Sequence, residues 1–462
     1  MSTVLPQPDY IKLSELMLSL TTALDMTEGQ PTQHSMRCCW IGMHLGFKIG
    51  LSEADLHDLF FTLLLKDAGC SSNAARICAL YATDDREFKR NFKTVGKSLS
   101  SVINFVLKNT GKDKHWGTRI SATINVLKNG DRYAQELIQT RCSRGADIAR
   151  ELRFNENVAM GIHSLDEHWN GQGQPEKLKK EAIPMHSRIA LLAQVVDVFQ
   201  FEHNLASALT EANDRRGIWF DPILVDALNE LVQDLEFCDV LSSKNILEKV
   251  MSLAPAKANM LLDDDYLDCI VSAFGKIIDS KSPYTSGHSE RVAVFTELIS
   301  EEIDDLDDEA KKWLKRAALL HDVGKLGVSN TVLDKPGKLD DDEWKAVQHH
   351  AQFTKDILSQ ITPFKALAEM AGGHHEKLDG TGYPLKLKAE DISISTRIIT
   401  TADIFDALTA ERPYRSAMPV AKALNIMEEN LHNAIDPICF EALQKGLKKL
   451  PHELTSLPTN LY

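Results

Sequence analysis

Apolar positions along this chain recur at three- and four-residue intervals almost throughout, the spacing of one face of an α-helix. Ser52 precedes a run in which Leu56, Leu59, Phe60, Leu63 and Leu64 share a face, and its hydroxyl suits the cap of that helix. Asp340, followed three residues later by Glu343, makes a capping-box start for a helix carrying Trp344, Val347 and His350. Ser393 or Ser395 starts another, running through Ile398, Ala402, Phe405 and Leu408 and stopping near Arg412-Pro413, because proline disfavours helix in the residue before it. Alternating runs of strand type are scarce. The pattern predicts an all-α protein.

The pattern also repeats. His34-Ser35-Met36-Arg37 echoes His288-Ser289-Glu290-Arg291, 254 residues on, and Lys66-Asp67-Ala68-Gly69 echoes His321-Asp322-Val323-Gly324 at 255. Gly173-Gln174-Pro175 echoes Gly382-Tyr383-Pro384, and Arg188-Ile189 echoes Arg397-Ile398, both at 209. The first copy therefore carries about 46 extra residues between its second and third motifs. These matches predict two related helical bundles in tandem: 1–205, a helical linker at 206–261, and 262–462.

Length and composition agree with this. A chain of 462 residues is too long for one ordinary core. Its apolar fraction of 43% and charged fraction of 26% are those of a globular protein. No apolar run is long enough to span a bilayer and no signal peptide is evident, so a cytoplasmic protein is expected. The eight cysteines form no CxxC pair and read as free thiols. A net charge of −14 argues against DNA or another broad nucleic-acid partner, although cations and a few basic side chains can still admit an anionic substrate. The seven carboxylates between Glu301 and Glu309 read as a solvated face.

The second half concentrates metal-ligating residue types: His288, His321, Asp322, His350, His374, His375 and Asp403. Imidazole and carboxylate without thiolate suit Fe, Mn or Zn in an open site. Seven donors exceed the needs of one ion with a free position. They suit two ions ~3.5–4 Å apart that share a carboxylate, for which Asp322 is the natural bridge. Lys325, on the same helical face as Asp322, can meet a phosphate oxygen held over the ions. The Gly-rich turn from Asp379 to Pro384 reads as a phosphate-binding loop beside them. His349 is the rival of His350, and the spacing to Ile357-Leu358 favours His350.

Residues 262–462 resemble an HD-GYP domain, the branch of the HD metal-dependent phosphohydrolases that cleaves cyclic dinucleotides. The matching segments are Tyr284 to Val292, Leu320 to Lys325, His350, His374-His375-Glu376, Asp379 to Pro384, Ala402 to Leu408 and Arg412-Pro413-Tyr414-Arg415. The resemblance implies two divalent metal ions, Fe or Mn. His288, His321, Asp322 and Asp403 hold one; Asp322, His350, His374 and His375 hold the other. It implies catalytic roles for Asp322 and Lys325, and substrate contacts from Gly380, Gly382, Tyr383, Pro384, Arg412 and Arg415. Members with a third metal carry glutamate where this chain has Tyr284, a poor ligand at neutral pH, so two metals are expected.

The whole chain is similar to tandem HD-GYP phosphodiesterases that degrade 3′3′-cyclic GMP-AMP (3′3′-cGAMP), with cyclic di-GMP the competing substrate. The expected reaction yields a linear, 5′-phosphorylated dinucleotide. A non-catalytic scaffold that binds the dinucleotide or a partner protein is the alternative. In the first copy His34 and Asp67 survive, but the other ligand positions have become Lys66, Arg141, Leu165, Asp166 and Gln194, with Cys70 for the lysine and Gln174 for the tyrosine. That copy is expected to be metal-free and to serve regulation or dimerisation. A homodimer and signalling-protein partners are therefore also expected.

Overall fold

The computed structural model describes residues 11–93, 99–112, 115–411 and 415–449. Among them are helices and no β-strand, only isolated bridges such as Asp379 with Lys388. No helix of the described residues is long and apolar enough to cross a membrane. No disulfide joins any of the eight cysteines. Two compact units form, Ile11–Leu262 and the chain from Asp263 onward.

Helix starts follow the predicted cap chemistry. Ser52 Oγ accepts from Asp55 N at 3.2 Å and opens Glu53–Leu65. Asp340 and Glu343 form a reciprocal capping box at the head of Asp341–Leu358. Ser393 caps Ile394–Thr409, leaving Ser395 inside the helix.

In the first unit, helices Leu13–Thr27, His34–Lys48, Glu53–Leu65 and Met185–Glu202 bury Leu16, Leu20, Ile41, Leu63 and Leu192. The 206–261 stretch is helical and packs within this unit. Phe237 O accepts from Trp40 Nε1 at 3.1 Å, Asn259 accepts from Ser14 Oγ at 2.7 Å, and Leu262 N donates to Ile11 O at 2.9 Å. The long helix Trp116–Glu151, 36 residues, holds much of the extra length of this copy and exposes Trp116, Ile120, Ile124 and Leu127 along one stripe.

The second unit packs Asp264–Asp279, His288–Ser300, Asp308–Leu320, Asp341–Leu358, Lys365–Gly372 and Ile394–Thr409 around Phe274, Trp313, Phe364 and Phe405.

The two units repeat one another bond for bond. His34 Nδ1 lies 2.6 Å from Asp197, as His288 Nδ1 does from Asp406. Arg37 and Arg291 donate through Nε to the same two aspartates at 2.5 and 2.6 Å. Arg188 meets Asp221, and Arg397 meets Asp436, both at 2.7 Å. A Cβ on Gly69 would fall 2.0 Å from Arg141 O, and one on Gly324 2.0 Å from His350 O, so each glycine admits the crossing helix.

Asp25 and Asp279 are a further pair: each accepts from the backbone N–H and hydroxyl of the serine that follows the shared histidine. Burial pushes the Asp25 carboxyl up to about 7 against the opposing pull of Lys66. The folded chain thus keeps a proton that the unfolded chain sheds near pH ~4, so this group's contribution to stability falls as pH rises from ~4 to ~7 and is level above. Asp25→Asn, which does not ionise, is expected to gain thermal stability relative to wild type across that window. Calorimetry at about pH 5 and about pH 8 checks it; a difference that does not change with pH contradicts it.

Candidate metal centre

Helix ends and turns deliver the donors. His288 begins His288–Ser300, and His321 and Asp322 follow directly on Asp308–Leu320. His350 lies on Asp341–Leu358, His374 and His375 just after Lys365–Gly372, and Asp403 on Ile394–Thr409. After Leu320 the chain tightens into the 3₁₀ segment Val323–Gly327, not a continuing α-helix. Residues three apart eclipse in that geometry, which sets the Lys325 ammonium directly on Asp322.

Asp322 sits at the centre. Its Oδ2 faces His288 Nε2 and His321 Nε2, both at 3.3 Å; its Oδ1 faces His350 Nε2 at 3.4 Å and His374 Nε2 at 3.7 Å. Asp403 Oδ1 adds to the first side, 3.4 Å from His288 and 3.9 Å from His321. His375 joins His350 and His374 on the second. Every expected metal ligand is thus brought to one buried place. His349 lies outside it, exposed, with its ring 6.1 Å from Phe353.

The tautomers follow from the outer hydrogen bonds. Nδ1 of His321, His350 and His374 lies 2.5–2.6 Å from the carbonyls of Ala318, Val347 and Ala371. A carbonyl only accepts, so each Nδ1 carries the proton and each Nε2 presents a lone pair inward. His350 Nε2 and His374 Nε2 consequently face each other at 3.4 Å with no proton between them. His288 Nε2, His321 Nε2 and Asp322 Oδ1 are buried and have no hydrogen-bond partner. Such an arrangement is costly unless a cation fills it. Donors ~2.0–2.2 Å from one ion lie ~3.0–3.5 Å from each other, and the spacings here, 3.3–3.9 Å, are close to that. The residues fit divalent cations.

Burial keeps the second-side imidazoles neutral, as ligands must be: His350 is pushed down to about 4 and His374 to about 3. Burial also disfavours the His288 imidazolium, but Asp322, Asp406 and Asp403 outweigh it and raise that group to about 9, so a cation on the first side must displace its proton. Burial would raise Asp322, yet the charge of Lys325 and the facing imidazoles hold it well below the usual carboxylate range.

The Gly-rich turn is built differently from a phosphate cradle. Four of its N–H groups donate to the protein, Asp379 to Asn433 O, Gly380 to Lys377 O, Thr381 to Asp379 and Tyr383 to His375 O, and just beyond it Leu385 and Leu387 donate to the Glu376 carboxylate at 2.6 and 2.9 Å. A Cβ on Gly382 would lie 2.3 Å from Lys377 N, so this position needs glycine for the fold of the turn. What the loop presents to the donors is the Tyr383 ring, 4.7 Å from that of His375. Arg415 gives both terminal nitrogens to the carbonyls of Ala407, Leu408 and Ser416. Arg412 and the Pro413-Tyr414 that follow lie outside the described residues.

Sequence reasoning assigned no role to Asp406, Arg291, Asp279 or Glu376, which orient the ligands and the loop. The signal was present: Asp197, Arg37, Asp25 and Glu167 keep the same residue types in the first copy, where the ligands have changed.

A sequence profile described as the HD domain matches residues 120–224 and 272–438. The chain is 68% identical over 446 residues, 96% of its length and 97% of the relative's, to 3′3′-cGAMP-specific phosphodiesterase 3 of Vibrio cholerae serotype O1. The chain belongs to the HD-domain family. Within this family it is also 35% identical over 182 residues, 39% of this chain and 48% of the relative, to the cyclic di-GMP phosphodiesterase response regulator RpfG of Xanthomonas campestris pv. campestris. Among solved structures, it matches a cyclic GMP-AMP specific phosphodiesterase of V. cholerae with a TM-score of 0.67 at 62% identity, covering 96% of this chain and 99% of that one. The HD-domain assignment accounts for the His321-Asp322 pair at the centre of the donors.

Proposed function

We propose that this HD-domain protein is a metal-dependent phosphodiesterase. It opens one 3′,5′-phosphodiester of a cyclic dinucleotide to give a linear, 5′-phosphorylated product. The observation that carries the reading is Asp322, whose two oxygens each face a different pair of inward-pointing imidazole lone pairs. The relatives' substrates favour 3′3′-cGAMP first and cyclic di-GMP second.

His288, His321, Asp322 and Asp403 would hold one divalent ion, Fe or Mn; Asp322, His350, His374 and His375 would hold the other. When bound, the pair supplies Lewis acidity and lowers the pKa of water toward neutrality. The chain's own groups do the rest. Asp406 and the three carbonyls fix four of the five imidazoles, His288, His321, His350 and His374, so those rings need not turn during the reaction. Lys325 is 17% exposed at its side chain, so its ammonium can reach a phosphate from the rim of the buried cluster. There it neutralises charge that grows as the bond to the leaving oxygen breaks. Burial and the charges of Asp403 and Asp322 push the Tyr383 phenol up, so it stays neutral and borders the substrate with its ring and hydroxyl. In the first unit, Lys66 and Arg141 pair with Asp67 and Asp166, which supports a metal-free regulatory or dimerising role there.

The test is incubation of metal-analysed protein with 3′3′-cGAMP and with cyclic di-GMP, products read by chromatography. Fully metallated protein inert toward both sinks the reading. In the same assay Lys325→Ala is expected to keep its metal and lose ~10²–10³-fold in kcat. Unchanged kinetics would remove Lys325 from the reaction.

A further inference from the structure

Trp344 stands where neither packing nor helix formation asks for an indole. It occupies the first turn of Asp341–Leu358 among charged neighbours, Asp341, Asp342, Glu343 and Lys345, and is 47% exposed. The turn beneath it is well anchored. Asp340 accepts from Asp342 N and Glu343 N at 3.1 and 2.9 Å, Glu343 accepts from Asp340 N at 2.8 Å, and Trp344 N donates to Asp340 O at 2.8 Å.

The indole is also tied to the metal centre through aromatic contacts. Its ring lies 6.1 Å from that of Tyr383 at 83°, an edge-to-face contact. Tyr383 in turn lies over His375 at 4.7 Å and 34°, and edge-on to His350 at 6.3 Å and 83°. An unbroken aromatic series therefore runs from the donors out to solvent. An edge-to-face contact leaves an indole π-face unused.

The first copy supplies an independent observation. At the 209-residue offset Trp344 corresponds to Gln135, and Tyr383 to Gln174. Both aromatics are absent from the copy in which five of the seven ligand positions have changed, whereas the scaffold residues Asp25, Arg37 and Asp197 are kept there. Trp344 segregates with the ligands.

We infer that Trp344 is a stacking platform for one purine base of the substrate, a specificity-determining contact beyond the Tyr383 loop. The inference rests on the cyclic-dinucleotide reading above. With a phosphodiester held at the donors, its attached bases must extend past the ring-lined wall, and the half-exposed indole stands at the outer end of that wall. Stacking on a π-face accepts either purine, so Trp344 would select nucleotides over other phosphodiesters without choosing between guanine and adenine.

The experiment compares metallated wild type, Trp344→Ala and Trp344→Phe. It reads kcat and KM for 3′3′-cGAMP, together with inhibition constants for 5′-AMP and for inorganic phosphate. Trp344→Ala is expected to raise KM, and the 5′-AMP constant with it, by ~5–100-fold, the range of one base–aromatic stack. The phosphate constant and the metal content should match wild type, and Trp344→Phe should recover most of the loss. Overturning results are an unchanged KM in Trp344→Ala, or a parallel loss for phosphate and in kcat, which would make Trp344 a prop for Tyr383. Wild-type protein that binds metal but cleaves no cyclic dinucleotide is a different failure: it removes the functional reading itself, and the platform with it.

Discussion

Asp322→Ala is expected to leave both cation positions unfilled and to bring turnover to background. Among the described donors, Asp322 is the carboxylate whose two oxygens face one set each. His288 and His321 would keep only Asp403 as an anionic partner, and His350, His374 and His375 would keep none. Three neutral imidazoles supply no negative charge to balance a dication in a buried pocket, which weakens that position, above all for Mn, an ion that carboxylates suit. Asp322→Asn separates bridging from simple ligation. Its amide keeps the shape but offers one oxygen, so about half the metal should remain, with turnover still lost. Metal per chain and turnover, measured on the same preparations, decide the matter. A variant with full metal and full rate would remove Asp322 from the bridge.

Much of this site was legible because ligands are written in residue type at short range. The histidine and aspartate motifs are rare enough together to mark the centre, and helix phase from Ile357-Leu358 separates His350 from His349. The caps at Ser52 and Asp340 were legible for the same reason: a capping hydroxyl or carboxylate reaches a backbone N–H two or three residues away. What orients the ligands was harder to see. Asp406 reaches His288 and Arg291 across more than a hundred residues of chain, so the contact exists only once the bundle closes. The loop misled for a related reason. Glycine and proline mark a tight turn, but where its N–H groups go depends on Glu376, whose carboxylate takes two of them. Arg415 likewise reads as an anion binder by type, whereas three backbone carbonyls take its terminal nitrogens. The 206–261 stretch read as a linker because it carries no motif; its place in the first unit rests on contacts with Ile11, Ser14 and Trp40 that periodicity does not reveal.

Lys66→Met is expected to cost the first unit about 3–5 kcal/mol. Lys66 is 1% exposed and pairs with Asp67, the counterpart of Asp322, at the position that His321 holds in the second copy. Burial disfavours that charge, but Asp67, with Asp25 behind it, outweighs it and raises the lysine's pKa. Burial acts against Asp67 as well, and the charges of Lys66 and Lys93 hold it down at about 2. Removing the lysine alone strands a buried carboxylate, the most expensive way to break such a pair. Removing both charges is far cheaper, because two neutral groups need no counter-ion. Asp67→Asn added to Lys66→Met should therefore recover most of the loss, a coupling a double-mutant cycle measures directly. Cys38, Cys39 and Cys70 are buried in this unit, so their thiol labelling against urea reports its unfolding. Additive losses in the double variant would mean that the two charges do not sustain each other, and that the first copy balances its buried aspartate by other means.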